Sequence, residues 1–134
     1  MSPSPVIALV GNPNCGKTTL FNRLTGAHQS VGNWPGVTVE RKTGTYMHAG
    51  LRHELVDLPG TFSLHVSHGE DSIDQQIAQN FILSGQPDLL LNIVDASSLE
   101  RGLYLSTQLL DAGTPLVIAL NMLDVANAQG VHID

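Results

Sequence analysis

One eight-residue stretch constrains this chain more than any other: Gly11-Asn12-Pro13-Asn14-Cys15-Gly16-Lys17-Thr18. The pattern G-x-x-x-x-G-K-[ST] follows an apolar run, Val6–Val10, and precedes a helical pattern from Lys17 to Leu24. Strand, loop and helix in that order form the context in which the motif holds phosphate. Glycines at both ends let the main chain wrap a phosphate chain with no Cβ in the way. Successive amides then converge as an anion-binding nest at a helix N-terminus, where the peptide dipoles add positive potential. Lys17 adds a point charge toward the terminal phosphates, and Thr18 offers a hydroxyl to Mg²⁺. Gly11, Asn12, Asn14, Cys15, Gly16 and Thr19 complete the expected phosphate-binding set.

The rest of the chain supplies the frame such a loop needs. Leu89–Val94, broken only by Asn92, and Leu116–Leu120 are also apolar almost throughout. Strands buried on both faces read this way, and they belong to parallel sheets covered by helices. Glu54–Leu58 reads as a further strand, and the more polar Thr38–Met47 as an edge strand. Ser72-Ile73-Asp74-Gln75 fits a capping box, followed by Ile73, Ile77, Phe81 and Ile82 at helical spacing. Ser97-Ser98-Leu99-Glu100 repeats the device ahead of a stripe of Leu99, Leu103 and Leu110. Gly85 with Pro87, and Gly113 with Pro115, stop these two helices. The expected order is strand, helix, two strands, helix, strand, helix, strand. That is an α/β fold, a mostly parallel sheet flanked by helices. There is no internal repeat, and no linker beyond a flexible tail at residues 1–5.

Composition narrows the function. With 134 residues the chain has room for one core. A hydrophobic fraction of 42% argues against disorder. No apolar run approaches the ~20 residues of a membrane span. The N-terminal Met-Ser-Pro-Ser-Pro is no secretory signal. The single cysteine, Cys15, has no internal disulfide partner, which fits a reducing compartment. Net charge is −6, and it is uneven. Residues 1–59 carry five basic side chains against three acidic, whereas from Gly60 onward Arg101 stands against nine acids. Nucleic acid is excluded as an extended partner, because its backbone needs a basic face. A small anion held by local geometry remains.

Two more motifs choose among nucleotides. Asp57-Leu58-Pro59-Gly60 ends a strand, so Asp57 can face Mg²⁺ through water and the Gly60 amide can meet a γ-phosphate. Asn121-Met122-Leu123-Asp124 follows the strand Leu116–Leu120, at the carboxyl edge where α/β sheets bind ligands. Asp124 can accept two hydrogen bonds from guanine, and adenine lacks that donor pair. Asn121 would fix the loop and meet the other edge of the base. The bland alternative for this pair is a helix-capping Asp and a turn Asn. Thr38, beside Gly36 and Val37 in a Gly/Pro-rich segment, is placed to complete the Mg²⁺ shell. Trp34, the only tryptophan, either packs its ring on the domain or presents it to a partner.

These elements resemble the first four signature motifs of Ras-like P-loop GTPases. The fit is closer still to one family. GNPNCGKTTLFNRLTG, then VGNWPGVTVERK (Val31–Lys42), VDLPGTFSL (Val56–Leu64), DASSLERGLY (Asp95–Tyr104) and ALNMLD (Ala119–Asp124) resemble the N-terminal G domain of the bacterial ferrous-iron transporter family FeoB. The resemblance spans nearly the whole chain. It implies a domain that binds GTP and GDP and slowly hydrolyses GTP, on the cytoplasmic face of a bacterial inner membrane. It implies as partners the transmembrane and helical regions of a parent transporter, and a possible oligomer. By the same resemblance Asn14 helps hold K⁺ near the phosphates, where it supplies the charge of an arginine finger. Val31–Thr38 would be the first switch and Gly60–Ser72 the second. Catalysis would rest on Lys17, Asn14, Thr38 and Gly60.

Departures from the pattern carry their own expectations. Thr61 stands where Ras-like enzymes have a glutamine, so hydrolysis should be slow. Met122 replaces the lysine of N-K-x-D, and its stem would still cover the base. Cys15 sits beside a helix N-terminus, which lowers a thiol pKa and favours oxidation; the blander reading is a small tolerated residue. His65, His68, Glu70 and Asp71 are potential ligands without a standard metal spacing. The resemblance also implies a fifth motif, a last strand and a last helix beyond Asp134. Two rival readings stay open: a ribosome-assembly GTPase, which would bring a basic RNA-binding module, and a non-catalytic guanine-nucleotide sensor.

Overall fold

A computed structural model describes residues 4–64 and 73–121. Six strands run in chain order as β1 (Val6–Gly11), β2 (Gln29–Asn33), β3 (Glu40–His48), β4 (Leu51–Asp57), β5 (Leu89–Asp95) and β6 (Leu116–Asn121). Three α-helices are α1 (Lys17–Thr25), α2 (Ile73–Leu83) and α3 (Leu99–Leu110), the last preceded by a 3₁₀ turn, Ala96–Ser98. One sheet holds every strand in the order β2-β3-β4-β1-β5-β6. β1 pairs parallel with β4 and with β5, and β5 pairs parallel with β6. The β2–β3 and β3–β4 pairs are antiparallel.

The period of two in β1 builds two cores. Ile7 and Leu9 point to one face, where Phe21 of α1, Leu55 and Ile93 close around them. Ala8 and Val10 point to the other, against Phe81 and Ile82 of α2 and Leu105 and Leu109 of α3. Leu9, Phe21, Leu55, Leu90, Leu105 and Leu109 are fully buried. Each such side chain contributes roughly 1.5–3 kcal/mol relative to exposure. The four parallel strands β4, β1, β5 and β6 thereby end together at one carboxyl edge, the edge from which the phosphate loop leaves β1.

Four expectations need correction. A strand, β2, stands where none was read, and it makes β3 an interior strand with a neighbour on each side. Gln29-Ser30-Val31-Gly32-Asn33 carries no apolar alternation and is mostly exposed, so main-chain pairing to β3 alone makes it a strand. In α3 the buried stripe is Gly102, Leu105, Ser106, Gln108 and Leu109, while Leu103 and Leu110 face outward. Small and polar side chains enter that stripe because they fit or find partners. A Cβ on Gly102 would lie 2.7 Å from Val94 Cγ1, and Ser106 Oγ donates to Asn92 Oδ1 inside the core. The cap before α3 is Asp95, whose carboxylate accepts from Ser97 N at 2.8 Å, and Ser98 makes no side-chain cap. Finally, among the described residues β6 is the outermost strand at its end of the sheet, and Val117, Ile118 and Leu120 are exposed. The first-cap residue Ser72 lies outside the described residues. Ile77, Phe81 and Ile82 of α2 do reach the core, and Ile73 does not.

Candidate nucleotide site

The loop between β1 and α1 is shaped by close main-chain packing. Asn14 and Gly16 adopt left-handed φ values of 65° and 94°. Cys15 N donates to Asn12 O at 3.3 Å, and Leu20 N donates to Gly16 O at 3.2 Å to begin the helix. The glycine positions leave no room for a side chain. A Cβ on Gly11 would come within 2.6 Å of Cys15 Sγ and 2.8 Å of Ile93 O. A Cβ on Gly16 would come within 1.9 Å of Asn121 Nδ2.

Two distant segments are fastened to this loop. The first follows β4. Leu58 N donates to Leu9 O at 3.1 Å and Thr61 N to Gly11 O at 3.0 Å. Gly60 then rides so near the loop that its Cβ would lie 2.9 Å from Pro13 Cα. Asp57, at the end of β4, forms an ion pair with Lys17, and both side chains are about nine-tenths buried. The second segment is the end of β6, where Asn121 Nδ2 donates to Cys15 O at 3.0 Å. Asn121 thus ties the end of β6 to the phosphate loop.

A cleft of about 470 Å³ opens above the loop, lined by Asn12, Pro13, Asn14, Gly16, Lys17, Thr18, Thr19, Gly60 and Asp74. Seven of these belong to the set expected from sequence; Pro13 and Asp74 do not. Among the described residues, Asn12 Oδ1 is buried without a hydrogen-bond partner. Lys17, Asp57, Gly60 and Asp74 also line an adjoining cleft of about 270 Å³ with Glu40 and Lys42. Thr18 hydroxyl and Asp57 carboxylate are hard oxygen donors, the set that suits Mg²⁺.

The first-switch residues are not brought to the cleft. Trp34 N donates to Val39 O at 3.0 Å and Val37 N to Trp34 O at 3.2 Å, which folds the segment into its own turn. Gly36 and Thr38 are exposed, and Val37 packs on the core. Of the two readings for Trp34, the packed ring is the one observed: it meets Phe81 edge-on at 5.6 Å and carries the Arg41 guanidinium 5.0 Å above it. Met122, Asp124, His65, His68, Glu70 and Asp71 lie outside the described residues. Among the described residues no three His, Cys, Asp or Glu side chains gather to hold a metal ion.

Thr61 and Cys15 behave as their surroundings dictate. Thr61 is buried, and its hydroxyl donates to Ser63 O at 2.7 Å. Burial pushes the Cys15 thiol up from the ordinary value of 9.0 and outweighs the helix start and Lys17, which act to lower it. The expected helix-end activation is thus overruled by desolvation. Gln108 of α3 was not read as a site neighbour. Its Oε1 accepts from Leu64 N at 2.6 Å and from Ser63 Oγ at 3.2 Å, holding the chain just past Gly60. A lone Gln on a helix gives no such signal, and Asp74, read only within a capping box, proves to be an acid in the first turn of α2.

Residues 5–134 match the family model described as ferrous iron transport protein B. The chain belongs to the FeoB family. It is 61% identical over 128 residues to the Fe(2+) transporter FeoB of Salmonella typhimurium strain LT2, covering 96% of this chain and 17% of that protein. The Fe(2+) transporter FeoB of Escherichia coli K12 is 59% identical over the same length and coverage. The chain therefore spans about one sixth of the FeoB transporters it matches. Among solved structures, the cytosolic domain of L. pneumophila FeoB superposes with a TM-score of 0.92 at 51% identity, covering 96% of this chain and 55% of that one. The cytosolic domain of T. maritima FeoB in GMPPNP form gives 0.88 at 44% identity, covering 97% and 50%. The fold is that of FeoB G domains, a P-loop GTPase sheet. Among the described residues no helix is long and apolar enough to cross a membrane.

Proposed function

We propose that this FeoB-family domain binds GTP and GDP and hydrolyses GTP slowly, as the cytoplasmic switch of a ferrous-iron transporter in a bacterial inner membrane. One observation carries the reading. A single cleft gathers the phosphate loop, Lys17, Thr18 and Gly60, and its floor is bonded to Asn121 at the head of the base-reading motif. S. thermophilus and T. maritima relatives in GDP-bound and GMPPNP forms support the choice of guanine nucleotide.

The chain's own residues divide the work. Lys17 pairs with Asp57. With nucleotide, Lys17 would turn to the phosphate oxygens, and the Thr18 hydroxyl and Asp57 carboxylate would hold Mg²⁺, which would neutralise phosphate charge as in other phosphoryl-transfer sites. The Gly60 amide would meet the γ-phosphate, and Thr38, exposed on its own turn, would complete the ligand set. Asn14, in the cleft lining, would hold K⁺ against the phosphates. Asp124 reads the N1 and N2 edge of guanine, with Asn121 at its other edge and Met122 covering its face. Thr61 is turned into its own loop, so no side chain there orients water, and this is the basis for slow turnover.

Hydrolysis of GTP and of ATP, each in K⁺ and in Na⁺, tests the reading. The expected result is turnover of GTP only, faster in K⁺, with the K⁺ response lost in Asn14→Ala. Turnover of ATP at a similar rate would overturn the guanine assignment. GDP binding with no turnover in either salt would leave a nucleotide sensor in place of an enzyme.

A further inference from the structure

Among the described residues, Asp74 is the one acidic side chain in the phosphate-loop cleft, and the nucleotide reading leaves it without a role. Among the described residues, Lys17, Gly60 and Asp74 alone line both that cleft and the adjoining one. The first two are the residues assigned to the terminal phosphate, so Asp74 stands at that same end. It belongs to the first turn of α2. Among the described residues the ion pairs are Lys17 with Asp57 and Lys42 with Glu40, so no cation neutralises Asp74.

We propose that Asp74 sets the balance between guanosine tri- and diphosphate, by placing a fixed negative charge opposite the γ-phosphate position. The inference rests on the guanine-nucleotide reading above. A triphosphate brings about one more negative charge than a diphosphate, and brings it to this end of the cleft. Asp74 is exposed, so the repulsion acts through a water-like dielectric, where like charges several ångströms apart still move an equilibrium severalfold at low salt. The diphosphate stops short and is spared most of that repulsion. The repulsion is also directional: it pushes on the first turn of α2, so the γ-phosphate is felt by a helix that packs on the core through Ala78, Phe81 and Ile82.

A structural role makes a different forecast. An acid in a helix's first turn stabilises the helix through its dipole, whatever nucleotide is bound. Removing its charge would then lower the melting temperature and shift both affinities together. The test is titration of GDP and of GMPPNP with Mg²⁺ into the full chain, for wild type, Asp74→Asn and Asp74→Glu, at low and high salt. Asp74→Asn is expected to tighten GMPPNP about three- to tenfold while moving GDP less than twofold, and high salt should shrink the difference. Asp74→Glu keeps the charge and should keep the wild-type ratio. An unchanged ratio in Asp74→Asn overturns the proposal. Weaker GMPPNP binding overturns it too, since the carboxylate would then be holding a cation or a water. If Asp74→Asn fails to fold, Asp74→Ser, which removes the charge and keeps a helix-start side chain, is read by the same ratio. Failure of wild type to bind GDP would sink the guanine reading itself, a result separate from either outcome for Asp74.

Discussion

The phosphate-loop half of the cleft and the first-switch half are built by opposite means. Around the loop, main chain packs on main chain, and positions 11, 16 and 60 have no space for a Cβ. In the first switch, Gly36 also has a left-handed φ of 75°, yet nothing lies within 4 Å of where its Cβ would be. Thr38 beside it is exposed. One half is held by close packing, and the other leaves its backbone and Thr38 open to solvent. The same glycine chemistry thus serves two ends: close approach in one half, free backbone in the other.

The widest expected gap between the halves comes from one pair of substitutions. Gly16→Ala meets both a positive φ and the Asn121 amide, so it should lower GDP affinity about 100-fold and cost about 2–3 kcal/mol of stability. Gly36→Ala meets only the positive φ and should cost about 1 kcal/mol, with GDP affinity unchanged. Thermal melts and a fluorescent-GDP titration read both. Equal losses would erase the contrast. Asn121→Ala comes next. Removing the donor leaves Cys15 O without that bond, for about 1–3 kcal/mol, and GDP binding should weaken about 10-fold or more. Gln108→Ala would leave Leu64 N unpaired in a buried place, a loss of about 1–2 kcal/mol in denaturant unfolding. Its effect should fall on GMPPNP more than on GDP, because it loosens the chain beyond Gly60 and not the loop.

The smallest effect concerns Cys15. Its folded-state pKa is raised above 9.0 by burial, so the unfolded thiol ionises first. Above about pH 9 the unfolded state has released a proton that the folded state keeps, and stability falls with rising pH. Cys15→Ser should flatten that decline, measured by urea unfolding between pH 8 and 10. At pH 8 iodoacetamide should label Cys15 far more slowly than a free thiol peptide; rapid labelling would restore the helix-end activation read from sequence.

The sequence was most legible where chemistry fixes spacing. The loop from Gly11 to Thr18, Asp57–Gly60 and Asn121 were read from residue types at fixed separations, and the fold brings these segments together. β1 and β5 were legible for a related reason: burial on both faces writes a continuous apolar run, whereas β6 carries such a run although much of it is exposed. β2 was not legible, since its residues owe their state to hydrogen bonds from β3. The α3 stripe was misread because Gly102, Ser106 and Gln108 look like surface residues until Val94, Asn92 and Leu64 are known to face them. Asp74 was read only as part of a capping box, and the fold revealed that this helix start borders the cleft.

The bond from Asn121 to Cys15 joins residues 106 positions apart. During synthesis the phosphate loop leaves the ribosome long before its fastening does. A nascent chain that has made β1, α1 and even β5 still has Cys15 O without that donor and an open face at Gly16. The nucleotide site therefore closes late, when β6 docks beside β5. Ligand binding on stalled chains of increasing length should switch on at that step, which makes this single amide a marker of folding completed.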